Sequence, residues 1–113
     1  MHPLLHAAGQ VAIKRRDGRQ YNVGAIGRRQ DGKLVHSRNS VTQFPNSKLH
    51  AEARLVLRLG KGAPVVYVAR FVFGTKTLGM AKPCPTCEAI LRSYGVRKVV
   101  YTTGPSSYAE MIL

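Results

Sequence analysis

Four side chains in two short stretches carry the chemistry open to this chain. His50-Ala51-Glu52 supplies one imidazole and one carboxylate, and Pro83-Cys84-Pro85-Thr86-Cys87 supplies two thiols. One imidazole and two thiolates make a three-ligand zinc set with a fourth position open, the arrangement of a catalytic metal site. The chain has no third cysteine to close the shell with sulfur. Water at the open position would lose its proton near pH ~7. Glu52 lies two residues from His50 and is not needed as a ligand. Its carboxylate is therefore available to take a proton from that water. Taken alone, C-x-x-C fits a redox pair or half of a structural zinc site as well, and His-x-Glu is near background. The two in this order carry the reading.

The elements around these stretches are those a shared site needs. Ser47 is an N-cap for a helix predicted at about 48–59, which holds His50 and Glu52 in its first turns and ends at Gly60. Pro85 suits the first helical position of a second helix, with Cys84 as its cap. Cys87, Ile90, Leu91 and Tyr94 then share one face, and Gly95 stops the helix. Between the two motifs, Pro64 to Phe73 is apolar on both faces and reads as a central strand. The thiols lie where the helix dipole and a metal both favour thiolate.

The remaining segments give the rest of the layout. Leu4, Leu5, Ala8, Val11 and Ala12 repeat at helical spacing, so residues 2–13 read as a helix. His2 and His6 lie one turn apart there and are read as a partly exposed pair, not a metal site. Tyr21 to Ile26 and Leu34 to His36 read as a hairpin turning at Asp31-Gly32. The polar stretch from Arg38 to Leu49 and the stretch from Gly74 to Lys82 read as loops. Val96 to Thr102 is a β-branched strand, and Tyr108 to Leu113 returns as a short antiparallel edge strand. The order is α/β, with layered helices and sheet and one domain expected over residues 1–113.

Charge is the strongest global fact. There are 18 Lys and Arg against 5 Asp and Glu, a formal net charge of +13, and one of the five acids is Glu52. So basic a domain attracts polyanions, nucleic acid foremost. Hydrophobic residues make up 44% of the chain, which excludes a disordered polycation. The apolar runs are too short to span a bilayer, and no secretory signal is evident, so the expected location is the cytoplasm, with no membrane partner.

From about residue 39 to residue 101 the chain resembles the cytidine deaminase-like superfamily, the zinc-dependent nucleobase deaminases with H-A-E and P-C-x-x-C motifs. The resemblance implies a three-layer fold, with a mixed central sheet of 4–5 strands flanked by about three helices. It implies Zn2+ held by His50, Cys84 and Cys87, with Glu52 as proton shuttle. Asn39 stands in the loop where many members hold the sugar of the target nucleotide. Arg38, Phe44, Ala51 and Pro83 complete the expected substrate contacts. Two departures are informative. Members acting on free cytidine typically have Cys in place of His50, and Asn-x-Glu where this chain reads Asn39-Ser40-Val41. The His ligand is nearer to the deoxycytidylate, tRNA-adenosine and polynucleotide cytosine deaminases, and the compactness looks like small members encoded by bacteriophages, which would act in the host cytoplasm.

The expected reaction is hydrolytic conversion of cytosine to uracil, in single-stranded nucleic acid by the charge argument. Arg28, Arg29, Arg38 and Lys48 form the expected basic track, and Phe44 the stacking surface. The alternatives are a deaminase of free (deoxy)cytidine nucleotides such as dCMP, and a catalytically silent zinc-stabilised nucleic-acid-binding domain. The intact Glu52 argues against the last. Adenine is allowed by the same motif, and a homo-oligomer is compatible with the surface.

Overall fold

The computed structural model describes residues 3–13, 21–29, 31–38, 64–83 and 85–113. In chain order these form α1 (Pro3–Ile13), β1 (Tyr21–Arg28), β2 (Leu34–Arg38), β3 (Val65–Val72), β4 (Thr77–Gly79), α2 (Pro85–Ser93), β5 (Lys98–Thr102) and β6 (Tyr108–Ile112). Five strands run in the order β2-β1-β3-β5-β6, and β4 adds to β3. Among the described strands only β3 and β5 pair in parallel, and α2 lies in the crossover between them. The sheet is mixed, as expected, with β3 at its centre because its residues are apolar toward both layers.

Alternation along β3 sorts the core into two halves. Val66 and Val68 face a cluster with Ala25, Ala81, Leu91, Val96 and Val99, on the α2 side. Ala69 faces the other cluster, with Leu5, Ala8, Ile26 and Val100, on the α1 side. Helix α1 crosses β1 at Gly24, where a Cβ would collide with the Ala8 carbonyl and lie 2.7 Å from the Ala12 nitrogen. Glycine at that position is what lets helix and strand touch backbone to backbone.

The β1–β2 hairpin turns where Asp31-Gly32 predicts. Gly32 has a φ of 89°, the Lys33 amide donates to the Asp31 carboxylate at 3.0 Å, and the Arg29 amide donates to the Lys33 carbonyl at 2.8 Å. Both strands extend two residues beyond their expected ends, to Arg28 and Arg38.

The stretch read as a loop from Gly74 to Lys82 differs. It turns back over residues 73–76, with Lys76 at a φ of 55°, and then forms β4. Three residues are too few for a periodic signal, so pairing with Phe71 and its neighbours decides the conformation. Two helices stand among the described residues; the one expected at about 48–59 lies outside them. Among the described residues no helix is long and apolar enough to cross a membrane.

Candidate metal and substrate site

The thiol motif hangs at one end of the sheet. β1 runs along one edge of β3 from Val66 to Val72, so β4 must use the other edge, which β5 occupies from Val65 to Val68. β4 therefore continues the line of β5 past its carboxyl end. At this junction the Ala81 amide donates to the Thr102 carbonyl at 2.9 Å, and Ala81 is buried in the α2-side core. Residues 81–83 then lead into α2 from the carboxyl ends of the two parallel strands. A crevice there is where open α/β sheets bind ligands.

Helix α2 begins at Pro85, whose fixed φ and missing N–H suit the first helical position. Cys87 follows in the first turn and is 2% exposed. Leu91, one turn on, is fully buried, while Ile90 and Tyr94 are half-buried against the same cluster. This is the face expected from the spacing of the four residues. Gly95, with a φ of 87°, ends the helix in the left-handed conformation glycine allows. Glu88 and Arg92 pair on the outer face at 3.1 Å. Pro83 is buried beside the helix start.

Of the expected site residues, the described structure holds Pro83, Cys87 and the backbone of Arg38. His50, Ala51, Glu52, Cys84, Asn39 and Phe44 lie outside the described residues, as does Lys48 of the basic track. Arg38 is the last residue of β2 and pairs with Gly24, so β2 delivers its chain toward the same sheet end as Pro83.

Two members of the expected basic track do not reach that end. Gly27 pairs with Val66, so Arg28 is level with Val65, the first residue of β3, and Arg29 lies just beyond it. Seven residues of strand, about 23 Å, separate that level from Val72. The guanidinium of Arg28 donates to the Gly32 carbonyl at 2.8 Å, and Arg29 meets Asp31 at 3.4 Å. Both side chains brace the hairpin turn. Spacing along the chain shows that these arginines flank a turn, but not which end of the sheet the turn occupies.

Sequence reasoning passed over Arg70. It stands in the apolar run of β3, on the α2 face with Val66 and Val68, near the carboxyl end. Its Nη1 reaches the Met80 carbonyl at 3.5 Å, three residues before Pro83. A cation inside an otherwise apolar strand was the available signal. A separate cavity of about 240 Å³ is lined by His6, Gln10, Phe71, Lys76 and Leu78 on the α1 face, across the sheet from α2.

The donor chemistry suits zinc. A buried thiol in the first turn of a helix, with a second cysteine three residues before it, is a soft pair of the kind zinc takes. Among the described residues no group of three metal-ligating side chains occurs, since the expected partners lie outside them.

Comparison with known proteins agrees with this geometry. Residues 2–103 match the family described as the cytidine and deoxycytidylate deaminase zinc-binding region. A cytidine deaminase from Burkholderia pseudomallei superposes with a TM-score of 0.77 at 19% identity, over 99% of this chain and 92% of that one. The cytidine deaminase of Mycobacterium leprae gives 0.67 at 22%, covering 94% and 88%. A mutant cytidine deaminase from Mycobacterium tuberculosis gives 0.64 at 20%, covering 92% and 84%. At these identities the likeness is one of fold. No curated protein sequence matches the chain. Since the family match spans all but the first residue and the last ten, the chain belongs to the zinc-binding family of cytidine and deoxycytidylate deaminases, and zinc is its cofactor.

Proposed function

We propose that the chain hydrolyses the exocyclic C–N bond of cytosine in single-stranded nucleic acid, releasing ammonia and leaving uracil. His50, Cys84 and Cys87 hold the zinc in this reading. When bound, zinc supplies an acidified water and a Lewis acid beside the base. Glu52 takes the water proton and carries it to the ring nitrogen, which makes the adjacent carbon open to addition. The same carboxyl then protonates the departing amine. Pro83, buried at the α2 start, shapes one wall of the base pocket. Asn39, Ala51 and Phe44 supply the sugar and base contacts, and Arg38 a cation at the end of β2.

The observation that carries the chemistry is the buried Cys87 thiol in the first turn of α2, at the carboxyl ends of β3 and β5. The polymeric substrate rests on the net charge of +13. A single strand also spares the cost of extruding the base from a duplex. A second reading is deamination of free cytidine or its nucleotides. It is favoured by the fold comparison, in which the matched cytidine deaminases are themselves covered over 84% to 92% of their length. The test is to incubate the protein with single-stranded DNA, single-stranded RNA, cytidine and dCMP and to assay each for uracil. Uracil in the strands supports the proposal; uracil from the free compounds alone selects the second reading.

A further inference from the structure

We infer that the cavity on the α1 face is a second nucleotide site, which takes one base of a single nucleic-acid strand against Phe71 and the adjoining phosphate on Lys76. This rests on the single-strand reading of the substrate and adds a contact of that strand across the sheet from α2. The cavity, about 240 Å³, lies between α1 and the β3–β4 turn. Phe71 is two residues on from Ala69 and so shares its α1-facing side of β3. Lys76 stands in the turn beyond the carboxyl end of β3, and Pro105 follows the carboxyl end of β5. The cavity is therefore at the same end of the sheet as Pro83 and Cys87, on the opposite face. A strand rounding that end meets both.

The lining is chemically selective. Its ionisable side chains are His6 and Lys76, with no acid among them. Half-buried Phe71 offers a ring, set edge-on to Phe73 with the centroids 5.2 Å apart. Gln10 offers an amide that both donates and accepts, as base edges do. A ring beside a cation is the combination of stacking platform and backbone contact that single-strand binders use. An acidic polypeptide would use Lys76 and leave the ring idle; a purely apolar ligand would do the reverse. A cavity of roughly 150 Å³ holds a benzene ring, so this one has room for a pyrimidine. Lys76 adds an independent observation. Its φ is 55°, a left-handed conformation whose usual occupant is glycine. The Thr75 hydroxyl helps hold this turn, donating to the Val72 carbonyl at 3.5 Å and lying 2.7 Å from the hydroxyl of Thr77, which also lines the cavity. An unfavourable backbone conformation kept beside a cavity is a feature of ligand clamps.

The experiment measures binding of a fluorescein-labelled oligothymidine of about 16 nucleotides, the upper site size of a single-strand-binding fold, by anisotropy across a salt series. It contains no cytosine, so binding is read apart from turnover. An abasic strand of the same length and polyglutamate are the comparison probes. Phe71→Leu is expected to weaken oligothymidine binding about 5- to 100-fold, the range of one lost stacking contact, and to leave the abasic strand unaffected. Lys76→Gly is expected to weaken both strands and to lower the slope of log affinity against log salt by about 0.7, the share of one phosphate on a single strand. Because glycine suits the left-handed turn, the urea midpoint of Lys76→Gly should hold or rise, which separates lost binding from lost folding. Lys33→Ala, exposed at the far end of the sheet, is the control for unspecific charge. No loss from Phe71→Leu, an equal loss on thymidine and abasic strands, an equal slope change from Lys33→Ala, or an equal effect of Phe71→Leu on polyglutamate overturns the proposal. Wild type is assayed alongside for uracil in a cytosine-containing strand. Uracil formed there while the variants bind normally overturns the cavity site and leaves the single-strand reading standing. Strand binding through the cavity with no uracil formed supports the cavity site and overturns that reading.

Discussion

The Thr102 hydroxyl accepts the backbone N–H of Arg70 at 3.2 Å and donates to the Gly79 carbonyl at 2.6 Å. This one side chain closes the gap where β5 ends and β4 takes over the same edge of β3. It is fully buried, so the two groups it satisfies have no ready replacement in water. The segment leading to Pro83 and Cys87 leaves the sheet from this point.

Thr102→Val, which keeps the shape and removes the hydroxyl, strands both backbone groups. A loss of about 1–3 kcal/mol is expected in urea unfolding. Thr102→Ser keeps the hydroxyl and costs about 0.8 kcal/mol for the missing methyl. Equal losses in the two variants would show that the hydroxyl bonds do not matter.

Gly24→Ala places a methyl against the α1 backbone at Ala8 and Ala12. Helix or strand must move, at a cost of about 1–3 kcal/mol or more. Denaturant unfolding measures the loss, and an unchanged midpoint would mean α1 does not pack against β1 as described.

Leu91→Ala opens a cavity beneath α2, one turn from Cys87, and is expected to cost about 2–5 kcal/mol. Because the same helix presents the thiol, zinc should also be lost to a competing chelator sooner than from wild type. Unchanged metal retention would separate the thiol's position from the packing of α2.

Arg28→Ala and Arg29→Ala alter the hairpin tip, about 23 Å along the sheet from the Pro83 end. Turnover of free cytidine is expected to stay within about two-fold. A larger fall in steady-state kcat/KM would return these arginines to the substrate track.

Much of this fold is legible in the sequence because its signals are local. Cys87, Ile90, Leu91 and Tyr94 repeat at helical spacing and do form one packed face of α2. Val65 to Val72 is apolar toward both layers and does lie at the centre. Asp31-Gly32 makes the turn its chemistry allows. What escaped depends on contacts between distant residues. β4 exists through pairing with β3, and the Thr102 bridge links residues 32 and 23 positions apart. The end of the sheet at which a basic residue sits follows from register, which spacing along the chain does not show; register puts Arg28 at the amino end of β3. At the candidate site, the motif spacing named the thiols and the helix start. The burial of Cys87 needed the core around it.

The account stands most directly on zinc content and ammonia release measured together for wild type, Glu52→Ala and Cys87→Ala. It predicts about one zinc per chain and ammonia release from cytosine substrate for wild type. Glu52→Ala should keep the zinc and lose the release, and Cys87→Ala should lose both. Wild-type turnover without bound zinc, or full turnover by Glu52→Ala, would contradict it.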